Sequence, residues 1–143
     1  MYNIYHNFPI AAPLNKVFDC ITQPEGLDVW WTKKSSGVPQ LNQQYVLWFA
    51  PEYDWRAIVS RCEPARVFEL TMTVSDKDWQ GTKLGFELKE NKNIVSLNFY
   101  HVNWPENNEH YRISSFCWAM YLRLLKRYLE YGEIVDYEKR LDA

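Results

Sequence analysis

The hydrophobic pattern changes its period three times along the chain. Residues 2–10, rich in Tyr, Ile and Phe, predict a first strand. Apolar positions then recur at helical spacing, and from about residue 43 they alternate with a period of two, which is typical of antiparallel strands. A helical period returns after residue 108 for about twenty residues. The pattern therefore predicts a strand, two short helices, a run of strands and one long helix.

Two short helices are predicted directly after the first strand. Pro13 suits the first turn of a helix, where its missing N–H costs nothing. The sequence Thr22–Glu25 has the form of a capping box, which predicts a second helix that carries Trp30 and Trp31. We expect a loop at 33–39 to end this unit. The apolar positions of the first helix are Leu14, Val17, Phe18 and Ile21.

Three of the later strands alternate clearly enough to assign a face to each residue. The side chains predicted to face the core are Phe68, Leu70, Met72, Leu84, Phe86, Leu88, Val95, Leu97, Phe99 and His101. Their neighbours are mostly polar, which indicates one covered and one wetter face. The strands near 44–50 and 55–62 are apolar in both phases, so the pattern assigns them no inner face.

The long helix has one apolar stripe at helical spacing, which we expect to face the sheet. Its members are Ile113, Phe116, Cys117, Met120, Leu124 and Tyr128. Gly132 suits the left-handed residue that follows a helix, and the tail 133–143 keeps enough apolar residues to pack. The elements together predict an α+β fold: a curved antiparallel sheet of about six to seven strands around a C-terminal helix.

Length, composition and charge exclude several classes of protein. The 143 residues suit one domain, 1–143, and its 24 aromatic rings could fill a core or line a cavity. The net charge is -2 without a basic bias, so we predict no nucleic-acid partner. No apolar run approaches the roughly 18 residues of a membrane span, and no signal peptide is visible. Three separated cysteines favour reduced thiols in a cytoplasmic protein.

Several motifs resemble those of the SRPBCC (START-like, birch-pollen-allergen-like) superfamily, in the branch similar to the activator of heat-shock chaperone ATPase. The matching positions are Pro13, Val17, Phe18, Thr22, Pro24, Glu25, Leu27, Trp30, Trp31, 78–82, His101, Trp104, 116–123, Leu125, Lys126 and Gly132. Relatives often carry glycine where this chain has 42–44 and Asn103. The resemblance implies a single helix-grip domain.

The resemblance also implies a cavity for an apolar or amphipathic small molecule between the sheet and the last helix. The predicted ligand-binding residues are Trp31, Phe68, Leu70, Phe86, Leu97, Phe99, His101, Phe116 and Met120. Relatives include lipid carriers, polyketide cyclases and aromatases, and chaperone co-factors, so the fold does not fix one activity. For the tandem tryptophans, either a purely structural role or a roof over the cavity is compatible with the sequence.

Catalytic and metal-binding motifs are absent from the sequence. His6, His101 and His110 lack metal-ligand spacing, so no metal or cofactor is predicted. His101 could be a hydrogen-bonded core residue, could orient a ligand, or could transfer protons. Three hypotheses therefore stand: a ligand-binding protein, which we favour, an enzyme of the cyclase or aromatase type, and a module that binds a chaperone. The sequence does not indicate an oligomeric state.

Overall fold

A computed structural model describes all 143 residues. The strands are β1 (Tyr2–Ile10), β2 (Lys34–Ser36), β3 (Gln44–Ala50), β4 (Tyr53–Glu63), β5 (Val67–Val74), β6 (Lys83–Asn91) and β7 (Ile94–Trp104). The helices are α1 (Leu14–Thr22), α2 (Pro24–Trp30) and α3 (Glu109–Tyr131), followed by a terminal 3₁₀ helix, Tyr137–Asp142. The predicted order of elements is confirmed.

All seven strands form one antiparallel sheet in the order β1-β7-β6-β5-β4-β3-β2. The first strand pairs with the last, and every other neighbour in the sheet is also a neighbour in sequence. Register shifts interrupt the β3–β4 and β4–β5 ladders, and such bulges bend a sheet. The predicted helix-grip fold is confirmed. The seventh strand, β2, lies inside the predicted loop 33–39 and pairs with the edge of β3.

The junction between α1 and α2 differs from the predicted capping box. The Thr22 hydroxyl donates to the Phe18 carbonyl oxygen at 2.7 Å, within its own helix. Gln23 is the N-cap of α2, and no side chain caps this end. The capping-box prediction is therefore wrong. Pro24 begins α2 instead, because its ring fixes a helical φ and it has no N–H to leave unpaired.

Two asparagines occupy loop positions where the family resemblance leads us to expect glycine. Asn42 has a φ of 68° and Asn103 has a φ of 73°. Both angles lie in the left-handed region, which glycine enters freely and asparagine enters more readily than most other residues. The loops therefore keep the backbone conformation that glycine would allow.

The ends of α3 match the sequence signals. The Asn108 side chain accepts a hydrogen bond from the Tyr111 backbone N–H at 3.0 Å and so caps the N-terminus. Gly132 follows the helix with a φ of 69°, in the predicted left-handed conformation. This helix lies across the sheet together with α1, and one hydrophobic core fills the space between the layers.

Most of the α3 stripe predicted to face the sheet does not do so: of its six members, Leu124 alone is buried. Phe116 is 79% exposed, whereas Trp118 is 2% exposed. The buried positions are Ser114, Trp118, Leu122, Leu124 and Leu125. At 3.6 residues per turn, this face is rotated from the predicted stripe by roughly a third of a turn. The helix carries two apolar stripes, and the stripe that contains the large Trp118 indole is the buried one.

The C-terminal tail packs against the domain, as expected. Arg140 is buried and its guanidinium donates to the backbone oxygens of Asp28 at 2.7 Å, Thr32 at 3.2 Å and Val135 at 3.2 Å. These bonds fasten the tail to the end of α2. None of the helices has the length and apolar character needed to cross a membrane.

Candidate functional site

The predicted ligand-binding residues on β5, β6 and β7 lie in the core beneath α3. Phe68, Leu70, Phe86, Leu97 and Phe99 are all buried. The Phe86 and Phe99 ring centroids are 5.4 Å apart, and the Phe99 ring lies 4.5 Å from that of Trp118. The alternating pattern therefore identified the inner face of the sheet correctly. That these residues contact a ligand stays a prediction.

His101 lies in the same core, and both of its ring nitrogens have hydrogen-bond partners. The Trp118 indole N–H donates to His101 Nδ1 at 3.1 Å. His101 Nε2 lies 2.8 Å from the Thr82 hydroxyl, which donates its own hydrogen to the Trp79 carbonyl oxygen. His101 Nε2 must therefore carry the ring hydrogen and donate it to Thr82. This network fixes a neutral histidine in one tautomer.

Burial also determines the charge state of His101. Removal from water lowers its pKa from 6.5 to about 3, with a smaller contribution from His110. At neutral pH the ring is uncharged, and its one lone pair already accepts from Trp118. His101 therefore has no free nitrogen for general acid–base work, and the geometry favours the interpretation as a hydrogen-bonded core residue.

The tandem tryptophans at the end of α2 point to two different places. The Trp30 indole N–H donates to the Cys20 carbonyl oxygen at 3.0 Å, deep in the core. The Trp31 ring centroid lies 5.1 Å from Trp118 and 5.7 Å from Phe49 of β3. Trp30 therefore anchors α2 to α1, while Trp31 extends the aromatic core towards the β3–β4 hairpin.

An open pocket of about 290 Å³ lies between α3 and the β3–β4 hairpin. We call it the rim pocket. Its lining residues are Trp31, Phe49, Tyr53, Trp55, Asp76, Trp79, His110, Ile113, Ser114, Cys117, Trp118, Tyr121 and Tyr137. Its volume is at the lower end of the range for small-molecule sites. Of the residues predicted from sequence to bind a ligand, Trp31 alone lines this pocket.

The walls of the rim pocket are a continuous series of aromatic rings. The Trp55 ring lies 5.3 Å from Phe49 and 4.8 Å from Trp79, and the Trp79 ring stacks on Trp118 at 5.9 Å. Trp55 and Phe49 come from strands whose inner faces the sequence pattern left unassigned, so sequence reasoning missed them. The available signal was the aromatic content of the hairpin itself.

The polar groups of the rim pocket are few and weakly reactive. The Ser114 hydroxyl oxygen accepts from the Trp79 indole N–H at 3.4 Å. Burial raises the pKa of the Cys117 thiol and raises that of Tyr121 to about 12, so both groups stay protonated at neutral pH. No group of three or more His, Cys, Asp or Glu side chains converges as a metal site would require.

Phe116 and Met120 lie outside this pocket. Phe116 projects from the outer face of α3, and Met120 is only half-buried beside it. The prediction that Phe116 lies opposite the sheet is wrong because the Trp118 face of α3 takes that place. Phe116 therefore belongs to the protein surface and not to the space between helix and sheet.

Solved structures similar to this chain share its whole architecture. The Aha1 dimer from Colwellia psychrerythraea is 28% identical with a TM-score of 0.84, over 93% of this chain and 99% of that chain. SSP2350 from Staphylococcus saprophyticus is 17% identical with a TM-score of 0.77, over 94% and 96%. CalU16 from Micromonospora echinospora is 17% identical with a TM-score of 0.74, over 98% and 81%. The last two similarities show the fold alone.

Among curated proteins, no significant match to this sequence is found. A family match spans most of the chain, from the turn after β1 to the last turn of α3. It covers residues 11–130, and the family is described as Activator of Hsp90 ATPase homolog 1-like protein. The fold and this match agree, and the chain belongs to the Activator of Hsp90 ATPase homolog 1-like family.

Proposed function

We propose that this domain binds a small apolar or amphipathic molecule in the rim pocket. The observation that carries the proposal is the lining itself: eight aromatic side chains surround about 290 Å³ of open space. Ligand sites are concave and mostly apolar, with a few polar groups that orient the ligand. Here Ser114, Asp76 and His110 are the polar groups.

The core beneath α3 contributes a rigid wall to this site rather than a second chamber. Trp118 belongs to both regions, because it contacts Phe99 on one side and lines the rim pocket on the other. Its indole N–H is held by His101, so its ring orientation is fixed by a buried hydrogen bond. A fixed wall reduces the entropy lost when a ligand binds.

Two tryptophans on adjacent strands provide a matched test. Trp55 on β4 lines the rim pocket, whereas Trp48 on β3 lies outside it and alternates with the buried Leu47. We expect Trp55→Ala to weaken binding of a neutral naphthyl probe about tenfold, because a ring wall is lost. Trp48→Ala should leave the affinity unchanged. Titrations followed by NMR shifts of the indole N–H groups would measure both.

Probe binding that neither substitution affects, or that Trp48→Ala weakens as much as Trp55→Ala, would contradict the proposal. Probe-induced shifts confined to residues outside the rim pocket would have the same consequence. Far-UV circular dichroism of both variants checks that each substitution leaves the fold intact.

The enzyme alternative has less support from the geometry. His101 uses both nitrogens within the core, and the Cys117 thiol stays protonated. His110 is the one basic side chain that lines the rim pocket, and its Nδ1 lies 3.1 Å from the Asp78 carboxylate. Histidine is the side chain most often used for general acid–base catalysis, so His110 is the residue on which a cyclase-type activity would have to depend.

A second proposal concerns the outer face of α3, where we infer that a second copy of this chain docks. The outer stripe consists of Ile113, Phe116 and Met120, and it exposes Ile113 by 52% and Phe116 by 79%. Ile113 also lines the rim pocket, so the stripe borders that site. An antiparallel pair of these helices centred on Phe116 would bring Ile113 of one copy close to Met120 of the other, because these residues are three and four positions from Phe116. The Aha1 protein from Colwellia psychrerythraea, a similar structure, is described as a dimer.

The charges beside the outer stripe complement each other in the same antiparallel arrangement. Glu109 lies seven residues before Phe116 and Arg123 lies seven residues after it, and both are exposed. Neither forms an ion pair within the chain. Each glutamate would therefore face an arginine of the other copy, as an isologous interface requires.

Sedimentation velocity over a range of concentrations tests this docking. A one-helix interface is smaller than the roughly 800 Å² per partner of a standard complex, so we expect a concentration-dependent dimer. Phe116→Glu should abolish it, and the double swap Glu109→Arg with Arg123→Glu should preserve it. A monomer at every concentration would contradict the proposal. A heat-shock chaperone that binds wild type but not Phe116→Glu would reassign the stripe to the chaperone alternative.

A further inference from the structure

One end of the rim pocket carries a carboxylate that no group of the protein neutralises. Asp76 lies in the turn after β5 and is half-buried. Its carboxylate makes no hydrogen bond and no ion pair, although its backbone oxygen accepts from the Trp79 N–H at 3.0 Å. A partly desolvated carboxylate without a partner attracts a cation more strongly than one on an open surface.

The second carboxylate near this end is already engaged. Asp78 accepts from His110 Nδ1 at 3.1 Å and from the Asn108 side-chain amide at 3.2 Å. These bonds, His110 first, lower the pKa of Asp78, so it stays ionised. The basic side chain of the lining, His110, is therefore hydrogen-bonded to Asp78 and not to Asp76.

Aromatic rings continue directly from Asp76 along the wall. Trp79 lies in the same turn, its ring is 4.8 Å from Trp55, and the Trp55 ring is 6.2 Å from Tyr53. The faces of such rings carry negative electrostatic potential and attract cations, most strongly tryptophan. This end of the pocket thus combines a free carboxylate with ring faces, which is the combination that binds amines and quaternary ammonium groups.

The opposite end of the pocket lies beside positively charged side chains. Tyr137 belongs to that end, and its ring already has Lys33 Nζ at 5.7 Å and the Arg140 guanidinium at 5.2 Å. Along α3 the pocket extends from His110 to Tyr121, which is about 16 Å at 1.5 Å per residue. The two ends are far enough apart for one ligand to meet a different environment at each.

We propose that the ligand of the rim pocket is a monocationic amphiphile, with an amine or quaternary ammonium group beside Asp76 and an apolar body along Trp118 and Tyr121. This inference rests on the proposed function, because it specifies the charge of the molecule that the pocket binds. An anionic ligand would meet Asp76 with no free cation in the lining.

Three probes of similar shape and different charge test the proposal. They are phenethyltrimethylammonium, its neutral isostere neohexylbenzene, and the anion hydrocinnamate. We expect the cation to bind wild-type protein about tenfold more tightly than the neutral isostere, and the anion to bind most weakly. Indole N–H shifts in NMR spectra would give each dissociation constant. The preference should shrink as salt is added, because Asp76 is partly exposed to screening.

Asp76→Asn should remove the preference for the cation while leaving the neutral isostere with its wild-type affinity. Asp19→Asn is the matched control, because it changes the net charge equally at an exposed position on α1 outside the rim pocket. It should preserve the preference.

The outcomes separate this inference from the proposed function. If the neutral isostere binds the pocket as tightly as the cation, or if Asp76→Asn keeps the preference, the charge assignment is wrong and binding in the rim pocket stands. If none of the three probes shifts the indole groups of the pocket, both proposals fail together.

Discussion

The core beneath α3 and the rim pocket are both lined by aromatic rings, but they differ in the exposure of those rings and in the hydrogen bonding of their polar groups. In the core, His101 and the Trp30 indole have partners within the chain, and the surrounding rings are buried. In the rim pocket, Asp76 has no partner, and Trp55 is only half-buried. Aromatic content therefore does not distinguish the core from the pocket, whereas the partial exposure of the rings and of an unpartnered carboxylate does.

A matched pair of phenylalanine substitutions should give the largest difference between the two regions. Phe86 is 1% exposed, and Phe86→Ala should lower the free energy of unfolding by about 3–5 kcal/mol. Phe49 is half-buried at the rim, so Phe49→Ala should cost less than about half of that. Urea unfolding followed by circular dichroism would measure both. Equal losses would mean that the rim is packed as tightly as the core.

The second largest effect should be the change in the free energy of unfolding with pH that the buried His101 causes. Its pKa falls from 6.5 in the unfolded chain to about 3 in the folded protein, so the unfolded state binds the proton first. The stabilisation is complete above about pH 6.5 and is lost as the pH falls towards 3. Between pH 7 and pH 5 we expect a loss of about 2 kcal/mol.

His101→Gln provides the comparison, because glutamine keeps a donor and an acceptor without titrating. Urea unfolding at pH 7 and pH 5 should show a smaller loss for this variant than for wild type. The same loss in both proteins would mean that other groups cause the pH dependence.

Loss of the Arg140 guanidinium should lower the free energy of unfolding by a smaller amount, and it should also affect the tail beside the rim pocket. Arg140→Met leaves the oxygens of Asp28, Thr32 and Val135 without their donor, which we expect to cost about 1–2 kcal/mol. Amide hydrogen exchange in the tail should accelerate as the Tyr137 wall loosens. Arg66→Met, at an exposed position in the turn between β4 and β5, is the control and should stay within about 0.5 kcal/mol of wild type. An unchanged tail in Arg140→Met would refute this account of how the tail is fastened.

Substitutions of two buried tryptophans, Trp118 and Trp104, should give the smallest difference in the free energy of unfolding. The Trp118 indole N–H donates to His101, whereas the Trp104 indole N–H is buried without a partner. Trp118→Phe should therefore destabilise the protein by about 1 kcal/mol more than Trp104→Phe. Thermal unfolding of both variants measures this difference, and its reversal would argue that ring volume outweighs the hydrogen bond.

The strands were predictable because a sheet with one covered face imposes a period of two on its residues. Phe86 and Leu97 were assigned to the inner face by that alternation, and both are buried. The hairpin strands β3 and β4 were not assignable, because one side meets the rim pocket and the other keeps half-buried residues such as Trp48. An alternation fails where both faces of a strand are partly covered.

The face of α3 could not be chosen from its own sequence. Phe116 and Trp118 belong to two stripes, each apolar at helical spacing, and periodicity alone ranks them equally. The sheet selects the Trp118 stripe, because His101 and Phe99 on β7 offer that indole an acceptor and a ring contact. Trp118 and His101 are 17 positions apart and lie on different elements, so the periodicity of α3 alone does not show their contact.

The sequence by itself determined the order of the elements, the inner faces of β5 to β7, the ends of α3 and the family resemblance. These properties depend on local periodicity, on terminal residues such as Gly132, and on motifs that neighbouring residues form. The tertiary structure alone decided which stripe of α3 is buried, that Trp55 and Asp76 share one pocket, and that His101 is neutral. Those properties depend on contacts between residues distant in the chain, because burial and hydrogen bonding are set by the neighbours that folding supplies.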